Sequence, residues 1–285
     1  MASSRLSKPR PVGIIVNARK PSAAELLPKL RTWLEKRNVP VLDSLTTERE
    51  QVIRQSSMII CLGGDGTLLS VASQMRENSV PILGVNLGEL GFLTEVKQEE
   101  VFEELEAYLE GRYQIEERLM LSCHAKSSRK SAKEAHYVSL NDMVISREGL
   151  SRLVYIEVRV NGEKLTSFSG DGVILATPTG STAYSLSAGG SVVHPKLEAM
   201  IITPICPHAS ALRSIVVSAD EKISVKIQTK GESRKALLTA DGQENLEIDD
   251  SYTVTITRCP SHVKLIKSSK RSYFATLSEI FKFPV

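Results

Sequence analysis

The segment Gly63-Gly64-Asp65-Gly66-Thr67 sets one carboxylate inside a glycine-rich loop, directly after the apolar run Met58-Ile59-Ile60-Cys61-Leu62. An apolar run bounded by glycine reads as a strand buried on both faces. Thr67 is placed to cap a helix running from Leu68 to Met75. Strand, glycine loop and helix start together aim backbone N–H groups and the positive end of a helix dipole at one spot, which suits an anion of phosphate size. The glycines let that anion approach the backbone closely. Asp65 is the only ionisable group in the loop, and it would repel phosphate unless it holds Mg²⁺ or takes a proton.

Five further patches carry residues capable of chemistry. Gly84 to Phe92 holds three glycines and fits either a ligand-edge loop or a tight connection. Asn141-Asp142 fits a pair binding ribose hydroxyls or an Asx turn before a strand. Asp171 to Gly190 is rich in Gly, Ser, Thr and Ala, leaving room for a ligand and supplying uncharged donors and acceptors. Thr203-Pro204-Ile205-Cys206-Pro207-His208, with Arg213 after it, reads as a rigid edge turn around a buried cysteine rather than a catalytic histidine site. Asp241-Gly242-Gln243 reads as a hairpin turn.

The elements that must position these patches fall into two halves. Residues 12–110 alternate strands (Val12–Val16, Val39–Leu42, Met58–Leu62, Pro81–Val85) with helices (Ser22–Arg37, Thr47–Gln55, Leu68–Met75, Gln98–Leu109). That alternation implies βαβ units and a parallel sheet, with the ligand crevice at the carboxyl ends of the strands. From Leu119 the period becomes two, through Val154–Val160 with its Asn161-Gly162 hairpin signal, Ile215–Val217, Ile223–Ile227, Ala236–Thr239, Tyr252–Ile256 and Val263–Ile266. Lys230-Gly231-Glu232 and Asp249-Asp250-Ser251 read as turns between them, and Thr179–Gly189 as a helical exception. The division expected is an α/β domain over 1–118, a β-rich antiparallel domain over 119–270, and a helix in 271–285 with the α/β domain as its candidate partner.

Composition narrows the function classes. A chain of 285 residues can bury a real core, and 41% apolar with 24% charged residues is ordinary for a globular protein. A net charge of +3 is too small to imply nucleic acid, and the basic run Lys126–Lys133 lacks interleaved aromatics, so it reads as a solvated hairpin loop. No run approaches the ~20 apolar residues of a membrane span. Met1–Pro11 reads as a loose polar tail without a secretory signal. The four cysteines and five histidines are too scattered for metal-ligand or redox spacing, which favours reduced, buried thiols in a cytoplasmic protein.

Taken in order, these patches resemble the NAD kinase family along most of the chain. Lipid kinases of the diacylglycerol and sphingosine type, and phosphofructokinases, share similar glycine–aspartate loops; the combination with Thr177–Gly190 is what points to this family. The resemblance implies transfer of the ATP γ-phosphate to the 2′-hydroxyl of the adenosine ribose of NAD, a site between the two domains, and a homodimer or homotetramer. By position it implies Asp65 as the catalytic aspartate and Gly63, Gly64, Gly66 and Thr67 as a cradle for ATP phosphates, with Asp65 and Gly66 also touching NAD. It implies Asn141 and Asp142 on the ribose and adenine of NAD, Thr182, Ala183, Tyr184 and Ser187 as its adenine and nicotinamide pocket, and Phe92 as an apolar wall. Asp171 would lie near the nicotinamide end, and Asp241 would support the site. Mg²⁺ is expected to arrive with ATP rather than on a direct protein ligand. Three positions depart from the commonest family pattern: Asp142 where Glu is frequent, Thr203 where Ser is frequent, and Ser214 where Pro often follows the arginine. The alternatives are a lipid kinase, for which residues 177–190 are too polar, and a dinucleotide sensor, which would gain nothing from Asp65.

Overall fold

The structure, a computed structural model, describes residues 10–75, 80–147, 153–208, 211–228 and 235–282. Most of the Met1–Pro11 tail and the expected turn at Lys230-Gly231-Glu232 lie outside the described residues. The chain divides into two compact units, 1–117 with 263–285, and 118–262.

The first unit begins with β1 (Val12–Val16), α1 (Pro21–Glu35), β2 (Val41–Asp43), α2 (Arg49–Gln55), β3 (Met58–Gly63) and α3 (Asp65–Ala72). It continues with β4 (Ile82–Asn86), β5 (Val96–Lys97), α4 (Val101–Leu109) and β6 (Ile115–Arg118). Strands β2, β1, β3 and β4 pair in parallel, in that order, as the alternating pattern requires. Every residue of β3 is buried, because helices cover both faces of a parallel sheet. In α1 the stripe Ala23, Leu26, Leu30 and Leu34 is buried and joins Ile14, Ile60, Leu83 and Leu105 in one core.

The second unit runs through β7 (Leu121–Ser127), β8 (Ala135–Ser139), β9 (Asp142–Arg147), β10 (Val154–Val160), β11 (Glu163–Gly170) and β12 (Gly172–Ala176). A one-turn helix, α5 (Tyr184–Ser187), precedes β13 (Ala199–Ile205), β14 (Ile215–Ser218), β15 (Ile223–Gln228), β16 (Ala236–Ala240), β17 (Glu244–Ile248) and β18 (Tyr252–Arg258). These form two six-stranded sheets, β11-β10-β15-β18-β7-β8 and β14-β13-β12-β9-β16-β17, with antiparallel pairing throughout. Alternating residues of both sheets, among them Ile156, Val158, Val225 and Ile256 with Met143, Leu175 and Leu238, share one core.

The chain then returns to the first unit as β19 (Val263–Ile266) and α6 (Tyr273–Phe281). This corrects the expected boundary at residue 270. Val263–Ile266 has the local pattern of the strands before it, yet it pairs in parallel with β4, Leu265 opposite Ile82, and lies next to β6. Polar contacts fix it there: Lys267 Nζ pairs with Glu95 and, at 3.6 Å, with Glu116. Glu104 Oε1 accepts the N–H and hydroxyl of Ser269 at 2.8 and 2.9 Å. Helix α6 belongs to the same unit, with the rings of Phe281 and Phe92 5.6 Å apart. Among the described residues no helix is long and apolar enough to cross a membrane.

Candidate active site

The register of the first sheet brings the carboxyl ends of β1, β3 and β4 level, since Val16 faces Leu62, Leu62 faces Val85 and Gly63 faces Asn86. The segments leaving them meet: Asn17 N–H donates to the Leu62 carbonyl and Leu87 N–H to the Gly63 carbonyl, each at 3.0 Å. Helix α3 starts at Asp65 with Gly64 as its cap residue, three positions before the start expected at Leu68 with Thr67 as cap. A glycine cap has no side chain, so the sequence offered the threonine as the more visible signal. The shift places the Asp65 carboxylate in the first helical turn, where the helix dipole favours a negative charge.

Asp65 is held by the loop after β4. Its Oδ1 accepts three bonds, from Leu93 N–H (3.2 Å), Thr94 N–H (2.9 Å) and the Thr94 hydroxyl (2.8 Å). Among the described residues its Oδ2 accepts Phe92 N–H alone, at 2.9 Å, which keeps a lone pair for another donor. A Cβ at Gly91 would overlap the Asp65 carboxylate, so glycine alone permits this approach. Asn86 steadies the clasp, its amide donating to Thr94 Oγ1 at 3.0 Å and its carbonyl oxygen accepting Gly88 N–H at 2.6 Å. The carboxylate is therefore held by residues 92–94 and by the close approach of Gly91, and Phe92 contributes a backbone donor besides its ring.

Three residues at this edge escaped the sequence reading. Asn17 donates to Thr67 Oγ1 at 3.3 Å, and the Lys20 ammonium lies against the α-carbon of Gly88. Both follow the first strand directly, a position at the expected crevice that could have flagged them. Arg49 reaches from α2 to the Ser70 hydroxyl (2.6 Å) and the Thr67 carbonyl (3.4 Å), and burial lowers its pKa. No local motif marks it.

In the second unit Asp241 organises the Asn141-Asp142 segment. Its Oδ1 accepts N–H bonds from Asn141 (2.8 Å) and Asp142 (3.0 Å), and its Oδ2 accepts Leu140 N–H at 2.8 Å. It sits in the hairpin turn between β16 and β17 with φ at 49°, so it is turn and support at once. Burial, and then the Asp241 charge, push the Asp142 carboxyl up to about 7. Burial also raises Asp241, to about 6, against the opposing pull of its three N–H donors. Asp142 thus holds its proton near neutral pH more readily than an ordinary aspartate.

The hydroxyl-rich stretch divides into two roles. Thr177 donates its N–H to the Asn141 carbonyl (2.8 Å) and its hydroxyl to the Leu140 carbonyl (2.6 Å), while accepting Gly180 N–H at 3.0 Å. Gly180 approaches the Asn141 backbone so closely that any Cβ would overlap it. Buried Ser181 bonds the Pro178 carbonyl at 2.6 Å. Buried Ser185 joins Thr203 at 2.9 Å, and Thr203 joins Ser214 at 2.9 Å, so two of the three departures from the family pattern touch each other. Many of these hydroxyls therefore knit the turn rather than await a ligand. Thr182, Ala183, Tyr184 and Ser187 are the accessible ones, Tyr184 being 47% exposed, although the Thr182 hydroxyl donates to Thr179 at 3.2 Å.

Asp171 pairs with Arg147 at 2.7 Å, both half-buried. Cys61, Cys123 and Cys259 are buried, with the thiols of the first two pushed up to about 12 by burial. Cys206 is exposed, contrary to expectation, because the chain leaves β13 at φ 44° just there.

Residues 140–268 match the family model described as ATP-NAD kinase C-terminal domain, and residues 47–113 match that of the ATP-NAD kinase N-terminal domain. The C-terminal match includes β19, which the structure assigns to the first sheet. An NAD kinase from Geotalea daltonii is 38% identical over 284 residues, covering 95% of this chain and 98% of that one. The crystal structure of yeast NADH kinase complexed with NADH has a TM-score of 0.87 at 28% identity, covering 97% of this chain and 89% of that one. That of an NAD kinase from Archaeoglobus fulgidus in complex with ATP has a TM-score of 0.79 at 26% identity, covering 96% and 99%. With both domain models matched in chain order and a 38%-identical relative spanned almost end to end, the chain belongs to the NAD kinase family.

Proposed function

We propose that the chain catalyses transfer of the γ-phosphoryl group of ATP to the 2′-hydroxyl of the adenosine ribose of NAD, giving NADP and ADP. The observation that carries this reading is Asp65: a carboxylate in the first turn of α3, held through Oδ1 and with a lone pair open on Oδ2. The ribose oxygen attacks the γ-phosphorus as the bond to ADP breaks. Oδ2 orients that hydroxyl and receives its proton late, once bond formation has made the oxygen acidic; phosphoryl transfer is largely dissociative, so a weak base suffices. Gly63, Gly64, Gly66 and Thr67 cradle the phosphates of ATP, with Asn17 and Lys20 beside them. Asn141 and Asp142 take the ribose and adenine of NAD, Asp241 positions them, and Thr182, Ala183, Tyr184 and Ser187 line the heterocycle pocket. Asp171, oriented by Arg147, serves the nicotinamide end.

Mg²⁺ belongs to the substrate in this reading. Asp65 Oδ1 is taken up by three donors. An ion that keeps several waters and binds phosphate oxygens needs no more from the protein. Assembly into two or four copies and a cytoplasmic location complete the proposal, both resting on family membership.

The test is incubation of the purified protein with Mg·ATP and NAD, followed by an NADP-specific assay. The Asp65→Ala variant is expected to lose ~10²–10⁴-fold in kcat with modest loss of NAD binding. A folded variant keeping a third of wild-type kcat would refute the role of Asp65. A wild-type enzyme that phosphorylates diacylglycerol or sphingosine instead of NAD would refute the acceptor.

A further inference from the structure

The β7–β8 hairpin carries a cluster that takes no part in the phosphoryl transfer. His124 and His136 face each other across the strand pair, their rings stacked with centroids 4.1 Å apart and planes within 12°. Glu134 shares a hydrogen bond with His124 Nε2. One ligand atom from each of the three lies within 4.8 Å of the others. We propose that His124, Glu134 and His136 form a binding site for a divalent transition cation of the zinc class.

The donor set selects the ion. Two imidazole nitrogens and one carboxylate suit zinc-like cations, with a fourth position left to water, whereas Mg²⁺ and Ca²⁺ favour oxygen ligands alone. Tetrahedral coordination at about 2.0–2.1 Å per bond puts the donor atoms about 3.3 Å apart. The donor atoms lie within 4.8 Å of one another, so to share one ion the stacked rings must tilt out of parallel and the donors close by up to about 1.5 Å. The scaffold is preorganised. Strand β7 is paired on its other side with β18, Thr255 opposite His124. Tyr252 Oη donates to the Lys133 carbonyl at 2.9 Å, immediately before Glu134, and Ser127 and Ser251 share a bond of 2.7 Å. One charge opposes the ion: Lys126 Nζ lies 3.9 Å from Glu134 Oε1 and must swing away.

The experiment titrates the metal-free full-length protein with Zn²⁺ by calorimetry and with Co²⁺ by visible absorption. One ion per chain is expected, with Co²⁺ bands of a four-coordinate nitrogen–oxygen site. His124→Ala and His136→Ala should each weaken binding by at least about tenfold, the smallest loss usual for ligand-shell changes. Lys126→Gln should tighten it by removing the competing cation. Turnover of Mg·ATP and NAD should be unchanged in His136→Ala, which shows that the variant is folded. Equal stoichiometry and affinity in wild type and both histidine variants would overturn the proposal. So would a sulfur-to-cobalt charge-transfer band, which would place the ion on exposed Cys206.

Discussion

Replacing Asp142 with Asn should make the protein more stable and a worse enzyme. Asp142 is 6% exposed, no hydrogen bond reaches its carboxylate among the described residues, and Asp241 faces it with a second negative charge. Its pKa stands at about 7 in place of 3.8. At about 1.36 kcal/mol per pH unit, the ionised form costs the fold up to about 4 kcal/mol, shared with Asp241 because the two titrate together. The sign follows from proton binding. A carboxyl with a raised folded-state pKa binds more protons folded than unfolded, so its favourable contribution is complete below about pH 4. That contribution is lost as pH rises through about 7. Asn cannot ionise and removes the slope. Urea midpoints measured from pH 4 to pH 8.5 should coincide for wild type and variant at the acid end. They should then separate in favour of the variant by about 2–3 kcal/mol at pH 8, discounted from that ceiling for the shared titration. The KM for NAD should rise, by the ~1–3 kcal/mol of a ribose hydroxyl that meets an amide NH2 where a second carboxylate oxygen had accepted from it. Parallel pH profiles would show that Asp142 is not strained by its burial. Unchanged KM and kcat would reduce the Asn141-Asp142 pair to a structural turn.

Gly91→Ala should push its new methyl into the Asp65 carboxylate and detach residues 92–94, lowering kcat with little change in global stability. Wild-type kcat in that variant would mean the clasp is dispensable. Ala183→Leu should crowd the dinucleotide pocket and raise the KM for NAD about five- to a hundred-fold, the equivalent of ~1–3 kcal/mol of overpacking. The KM for ATP should barely move, and equal damage to both substrates in a folded variant would make the segment scaffold.

The strand–loop–helix around Gly63–Thr67 was legible because its signals are local: an all-apolar strand, three glycines and a helical run are neighbours in sequence. The start of α3 was misplaced by three residues because the true cap, Gly64, signals by lacking a side chain. The assignment of Val263–Ile266 failed for a different reason. A four-residue strand reading Val-Lys-Leu-Ile looks the same in either sheet, and its partner Ile82, far back in the chain, distinguishes them. Residues 177–190 showed correctly that small hydroxyls gather there. Sequence could not say which point inward, as Thr177, Ser181 and Ser185 do, and which stay accessible, as Thr182 and Ser187 do. The coupling of Asp142 to Asp241 and the grip of residues 92–94 on Asp65 depend on distant strands meeting, and no spacing announces them.

The return of β19 to the first sheet has a consequence for biosynthesis. On a ribosome that sheet cannot close when its own first segment has emerged. All of residues 118–262 must be made before Leu265 can reach Ile82. Until then the Ile82 end of β4 lacks its partner on that edge, since β5 covers only Val85 and Asn86, and an open edge of buried-type residues is a template for wrong partners. The pairing of Leu265 with Ile82 spans the whole second unit, and non-local pairing of this kind is slow to form. Chains that terminate before residue 263 therefore leave the first sheet without the strand that links β4 to β6.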